Sequence, residues 1–115
     1  MSVDNNDTYT PRWLKVTVRV PDVYLNVNDA TVFEGRMQFI EAVLQIRRAF
    51  QERILDGHPD MEMLRRTEPY AIVVRNDPVF LAELRGQMEA LDLEIESINT
   101  FYLENPPQIR IVGNI

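Results

Sequence analysis

The sequence predicts a small α/β or α+β domain: a two-layer sandwich in β-α-β-α-β order, with three or four strands and two long helices. Three observations predict it. Apolar residues alternate with polar ones over residues 14–20, recur at helical spacing after Thr31, and form a nearly continuous run over residues 70–75. Period-two alternation is typical of a half-buried strand, and spacings of three or four are typical of an amphipathic helix. Because helices between strands usually make crossovers, we expect a mainly parallel sheet.

The first strand follows an N-terminal segment without apolar periodicity. We expect residues 1–11 to form a flexible tail and residues 12–115 to form one domain. Leu14, Val16 and Val18 then share one face with Val20, which predicts one buried and one solvated face. The alternation resumes over residues 23–27, either as a second short strand or as an extension of the first strand past a bulge.

The first helix is expected from Thr31 to Asp56. Thr31 and Glu34 have the spacing of a capping box, and Gly57 followed by Pro59 would end the helix. Asp60 could cap a short turn that runs to Arg66. Two adjoining apolar stripes form a broad face suited to packing on a sheet. They consist of Phe39, Val43, Ile46, Phe50 and Ile54, and of Phe33, Met37, Ile40 and Leu44.

The second half of the chain begins with the apolar run at residues 70–75, which predicts a strand covered on both sides. Asp77 and Pro78 are a strong helix start. We expect this second helix to continue to Glu104 and a last strand to span residues 109–112. We favour an arrangement in which both helices pack on one face of the sheet. The alternative places one helix on each face.

Composition excludes several kinds of chemistry. The chain contains no cysteine and one histidine, so disulfides and zinc sites built from Cys or several His are excluded. No glycine-rich phosphate loop or nucleophile motif is present. We therefore expect no catalytic residues, no metal, no cofactor and no small-molecule substrate. The acidic, polar N-terminus does not resemble a secretory signal, and no apolar run approaches the ~20 residues of a membrane span. The expected location is the cytoplasm.

Charge is unevenly distributed along the chain. The net charge is −6, and residues 76–115 carry seven acids but only two bases. Phosphate affinity requires clustered Lys and Arg, so nucleic-acid binding is not expected. The two arginines of each doublet, at 47–48 and at 65–66, lie on different sides of a helix, so neither doublet forms a basic cluster. The carboxylates of Glu89, Asp92, Glu94 and Glu96 fit a solvated acidic face better than a cation site.

His58 lies between Asp56 and Asp60, and a histidine between carboxylates can act as a general base. The same residues are equally well explained as the end of one helix and the start of the next. We favour that structural interpretation.

The predicted second helix carries a heptad pattern, in which apolar residues step alternately by three and four. Such a pattern is typical of packing against another helix, within the chain or in a partner. A helix of this length would also overhang a domain of this size. The predicted interface residues are Leu81, Leu84, Met88, Leu91, Ile95, Ile98 and Tyr102.

These observations favour a non-catalytic protein-interaction or assembly subunit that associates with itself through this helix, or with a protein partner. One alternative is an acidic inhibitor that imitates nucleic-acid charge and binds a basic partner. Another is a small enzyme that uses His58.

Overall fold

The structure is a computed structural model that describes residues 12–25, 28–52 and 57–103. It is a mixed α+β fold with one three-stranded sheet, which confirms the coarse prediction. Short 3₁₀ turns at Asp22–Tyr24 and Ala30–Val32 precede the first helix, and a π-helical turn, Arg48–Glu52, continues it. In chain order the main elements are β1 (Trp13–Val18), α1 (Phe33–Arg47), α2 (Pro59–Thr67), β2 (Ala71–Arg75), α3 (Pro78–Ala90) and β3 (Ile95–Phe101).

The sheet has the strand order β2-β1-β3, with β1 antiparallel to both neighbours. The prediction of a mainly parallel sheet is therefore wrong. The sequence reading missed α2 as a helix of its own, and this additional element enters the connection between β1 and β2. β2 and β3 run in the same direction, but β1 separates them, so they make no parallel pair.

Helices cover both faces of the sheet. On one face, α1 and α3 bury a cluster made of Val16, Val18, Phe39, Val43, Ile46, Phe50, Ile72, Val74, Leu84 and Met88. On the other face, Met61 and Leu64 of α2 pack against Ala71 and Val73. The two-layer sandwich is thus not confirmed. The double burial of β2 agrees with its apolar sequence.

Lys15 links this second face to the end of α2. Its ammonium group contacts both carboxylate oxygens of Glu68, at 2.8 and 3.0 Å. Since Lys15 lies opposite Val73 in the register of β1 and β2, the ion pair lies on the sheet face against which α2 packs.

Four residues of the first predicted stripe are buried, namely Phe39, Val43, Ile46 and Phe50, and Ile54 lies outside the described residues. The second stripe leaves Phe33 and Met37 exposed. The expected capping box is wrong. Asp29 instead accepts hydrogen bonds from the backbone amide and hydroxyl of Thr31, at 3.0 and 2.6 Å. The hydroxyl bond, followed by the amide bond, lowers the pKa of Asp29 from its ordinary value of 3.8.

The start of α3 agrees with the prediction, because Asp77 accepts a hydrogen bond from the amide of Val79 at 2.8 Å and Pro78 occupies the first turn. Its predicted end is wrong, since α3 stops at Ala90 and the chain re-enters the sheet as β3. Asp92 makes the reversal in the left-handed region, with φ of 60°. Asp is one of the few non-glycine residues that adopt this conformation readily.

The remaining predictions either differ from the structure or concern residues that it does not describe. Residues 22–24 form a 3₁₀ turn rather than part of a strand. The proposed tail at 1–11, residues 26–27, the end of the first helix at 53–56 and the strand at 109–112 lie outside the described residues. Within the described ranges, no helix has the length and apolarity needed to cross a membrane.

Candidate interaction surface

Among the strands that the structure describes, the two outer ones are β2 and β3, and the hydrogen bonds of β1 determine which of their backbone groups face outward. The amide of Val18 donates to the carbonyl of Tyr70, and the amide of Asn76 donates to that of Arg12. Even-numbered residues of β1 therefore bond to β2, since alternate residues of a strand direct their backbone groups to opposite sides. In β2, the backbone groups of Ala71 and Val73 consequently face away from β1.

Two buried polar side chains close that edge of β2. The Oε1 atom of Gln51 accepts a hydrogen bond from the amide of Val73 at 2.9 Å. Arg47 donates from Nε to the carbonyl of Ala71 at 3.3 Å, and its guanidinium also bonds the carbonyls of Glu68 and Pro69. Arg47 is 3% exposed and Gln51 is fully buried. A further strand cannot add to β2 without displacing them.

The edge of β3 has a different construction. Odd-numbered residues of β1 bond to β3, so Ser97, Asn99 and Phe101 direct their backbone groups inward. Ile98 and Thr100 direct their amides and carbonyls outward, and no strand in the described part of the chain pairs with them. Such an edge is a template for pairing with another strand.

An apolar side chain accompanies these open backbone groups. Ile98 lies opposite Val16 and shares its sheet face. Val16 is fully buried, whereas Ile98 remains 38% exposed. Beyond the strand, Tyr102 is 67% exposed. Burial of these two side chains against a neighbour would add a hydrophobic contribution to any strand pairing at this edge.

A β-bulge limits the regular part of the edge. Thr17 pairs with Ser97 but Val18 pairs with Ile95, so β3 has one extra residue at Glu96. Bulges locally disrupt a ladder and increase its twist. The regular, pairable part of β3 therefore spans residues 97–101.

The turn between α3 and β3 is acidic. Glu89, Asp92 and Glu94 line a shallow surface depression there, together with Arg85. Glu96 follows as an exposed residue of the bulge. No group of three or more potential metal ligands occurs among the residues that the structure describes.

The seven predicted interface residues do not lie on one helix. Leu84 and Met88 are buried in the core on α3, and Leu81, Leu91 and Ile95 are half-buried against that core. Of the seven, only Ile98 and Tyr102 are exposed, and both belong to the β3 region. A role in association stays a prediction, but its available surface is the β3 edge rather than a helical stripe.

His58 occupies a structural position at the start of α2. Its Nδ1 atom accepts a hydrogen bond from the amide of Asp60 at 3.1 Å, which makes His58 the N-cap, with Pro59 in the first turn. Its carbonyl accepts from the amides of Met61 and Glu62. The third member of the predicted cluster, Asp56, lies outside the described residues.

The first arginine doublet divides as its spacing predicts, since Arg47 is buried while Arg48 is exposed, and in the second Arg65 is half-buried while Arg66 is exposed. The sequence reading missed the role of Arg47 and Gln51 in closing β2. A signal was available, because these polar residues are four apart and lie beside the buried positions Val43 and Ile46, where solvent is excluded.

In comparisons with known proteins, no family model, no curated protein and no solved structure matched this chain.

Proposed function

We propose that this protein is a non-catalytic assembly subunit that associates with itself through the open edge of β3. The observation that carries the proposal is the contrast between the two sheet edges. Buried side chains of Arg47 and Gln51 occupy the edge of β2, whereas Ile98 and Thr100 direct backbone groups outward at the edge of β3, where no other described strand pairs with them. Exposed strand edges favour association with another strand.

The length of the pairable edge limits the expected affinity between two copies. The pairable residues 97–101 span about 17 Å at ~3.3 Å per residue, and pairing along them buries less than the ~800 Å² per partner of a standard interface. We therefore expect a dissociation constant in the micromolar range, with the hydrophobic contribution centred on Ile98.

Sedimentation velocity from low micromolar to near-millimolar concentration tests the proposal. The wild type should shift from monomer to dimer. Thr100→Pro should remain monomeric, because it removes an outward amide that β1 does not use. Ile98→Lys should weaken association at least about tenfold, since a charged edge residue opposes pairing.

The matched control is Val79→Lys. Val79 is 73% exposed on the first turn of α3, and the substitution changes the net charge as Ile98→Lys does. It should dimerise like the wild type. A wild type that is monomeric at every concentration, or one whose dimer survives Thr100→Pro, would contradict the proposal.

An acidic protein that imitates nucleic-acid charge is a second candidate. It is supported by the carboxylates of Glu89, Asp92 and Glu94 along one depression, in the part of the sequence richest in acids. Such a protein would bind a basic partner rather than a second copy, and the two candidates differ in their response to salt. Catalysis by His58 has less support, because its Nδ1 atom is engaged by the Asp60 amide.

A further inference from the structure

We propose that the strand paired with β3 is β3 of a second copy, antiparallel to it across a two-fold axis at Asn99. This inference rests on the proposed function and names the segment of the partner that occupies the edge. The alternatives are another segment of the second copy and a different register of the same two strands.

The register follows from the part of β3 that can pair. The bulge at Glu96 confines regular strand geometry to residues 97–101, whose midpoint is Asn99. Symmetry about Asn99 places Ile98 opposite Thr100 of the second copy, and Thr100 opposite its Ile98. These are the two residues with outward backbone groups, so every free amide and carbonyl of the regular edge gains a partner.

Side chains are compatible with this register. Asn99 meets Asn99 of the second copy, Ser97 meets Phe101, and Glu96 lies opposite Tyr102, so no two like charges are directly opposed. A shift of the two-fold axis toward the N-terminus would bring Glu96 closer to Glu96 of the second copy, and like charges that face each other destabilise a strand pair. Such a shift would also include the bulge in the paired segment. A shift toward the C-terminus would require residues beyond the end of β3 at Phe101.

The resulting assembly would be closed. The two sheets of three strands would join into one sheet of six, with β2 of each copy at its ends. Arg47 and Gln51 already occupy both of those ends. Because no open edge remains among the strands that the structure describes, the two-fold pair would terminate at a dimer, whereas a head-to-tail pairing could continue into a fibre. This closure is the reason to prefer the β3 strand of a second copy over other occupants.

Cysteine cross-linking tests the register without interference, because the natural chain contains no cysteine. In the proposed register, Asn99 forms a non-hydrogen-bonded pair with Asn99 of the second copy. Their Cα atoms are ~4.5 Å apart, which lies within the Cα–Cα range of about 4.4–6.8 Å for a disulfide. Asn99→Cys is exposed and should form a covalent dimer under mild oxidation. Val79→Cys, exposed on α3, is the control and should cross-link at least about tenfold more slowly.

A second pair of variants tests which residues of the two β3 strands face each other. A mixture of Ile98→Cys and Thr100→Cys should cross-link as a heterodimer, since those positions face each other. Each variant alone should cross-link poorly, because the diagonal Cα atoms are about 7–8 Å apart. Circular dichroism of the reduced variants checks that each one retains the fold.

The outcomes separate this inference from the proposed function. Rapid cross-linking of Ile98→Cys alone would overturn the register. If Asn99→Cys and the mixed pair cross-link no faster than Val79→Cys, while Thr100→Pro still abolishes the dimer, the edge has another occupant and the inference fails alone. A wild type that is monomeric throughout would overturn both.

Discussion

Gln51 and Val73 are joined by a buried hydrogen bond of 2.9 Å from the backbone amide of Val73 to the side-chain Oε1 of Gln51. This bond occupies a position where a neighbouring strand would otherwise bond to β2. The side chain thus gives β2 a closed edge, and the proposed association would use β3, on the opposite side of the sheet. The Nε2 atom of Gln51 is buried and makes no hydrogen bond within the described residues.

Gln51→Met tests the importance of this bond. Methionine has a similar volume but is at best a weak acceptor, so the Val73 amide would be left buried without a good partner. We expect the free energy of unfolding to fall by about 1–3 kcal/mol, measured by urea denaturation. Because Nε2 makes no hydrogen bond within the described residues, its removal breaks no bond there and relieves part of its desolvation cost, so the decrease should lie toward the lower end of this range. An unchanged unfolding midpoint would show that the Val73 amide is satisfied in another way.

Leu84→Ala separates core residues from association residues. Leu84 belongs to α3 and is fully buried, so the truncation should destabilise the fold by about 2–5 kcal/mol. The remaining folded protein should dimerise with the wild-type affinity. Ile98→Thr should do the opposite and weaken the dimer with little loss of monomer stability. A Leu84→Ala variant that is fully stable but monomeric would restore the helical stripe as the interface.

His58→Ala tests the capping role of His58. The substitution removes the acceptor of the Asp60 amide, and loss of a helix N-cap typically costs about 1 kcal/mol. His58→Asn should recover most of that stability, because Asn is a favourable N-cap and lacks the imidazole needed for general-base catalysis. Thermal unfolding of the three proteins makes the comparison. A protein activity abolished in both variants would instead support the enzyme alternative.

Salt distinguishes self-association from binding to a basic partner. Each copy carries a net charge of −6, and acids of the α3–β3 turn lie near the proposed edge. Screening of repulsion between two such copies should strengthen the dimer as ionic strength rises. Rising ionic strength would instead weaken the attraction between this acidic protein and a basic partner. Sedimentation at low and high sodium chloride measures the sign, and a dimer that dissociates as salt is added would contradict association through the uncharged residues 97–101 of β3 and indicate an ionic interface instead.

Much of the fold could be predicted where local pattern and tertiary burial agree. The alternation at Val16 and Val18 correctly indicated one buried face, the apolar run of β2 indicated burial on both, and Asp77 with Pro78 marked the start of α3. In each case, neighbouring residues in sequence carry the whole signal.

The candidate site could not be predicted because a bulge imitated helical spacing. In a regular strand, residues on one face are two apart, but the extra residue Glu96 places Ile95 and Ile98 three apart. The α3 residues Leu84 and Met88 continue this spacing backward, so a helix and a strand together resemble one heptad series. The turn at Asp92 also lacks the glycine that usually marks a helix end. Closure of β2 by Arg47 depends on contacts distant in sequence, which periodicity does not report.

Amide hydrogen exchange at β3 tests the central claim most directly. At low protein concentration, the inward amides of Ser97, Asn99 and Phe101 should be protected by β1, while the outward amides of Ile98 and Thr100 should exchange rapidly. At high concentration, Ile98 and Thr100 should become protected in step with dimer formation, and Thr100→Pro should abolish the change at Ile98. Outward amides that are protected even in dilute monomer, or that remain unprotected in a fully formed dimer, would contradict association through the β3 edge.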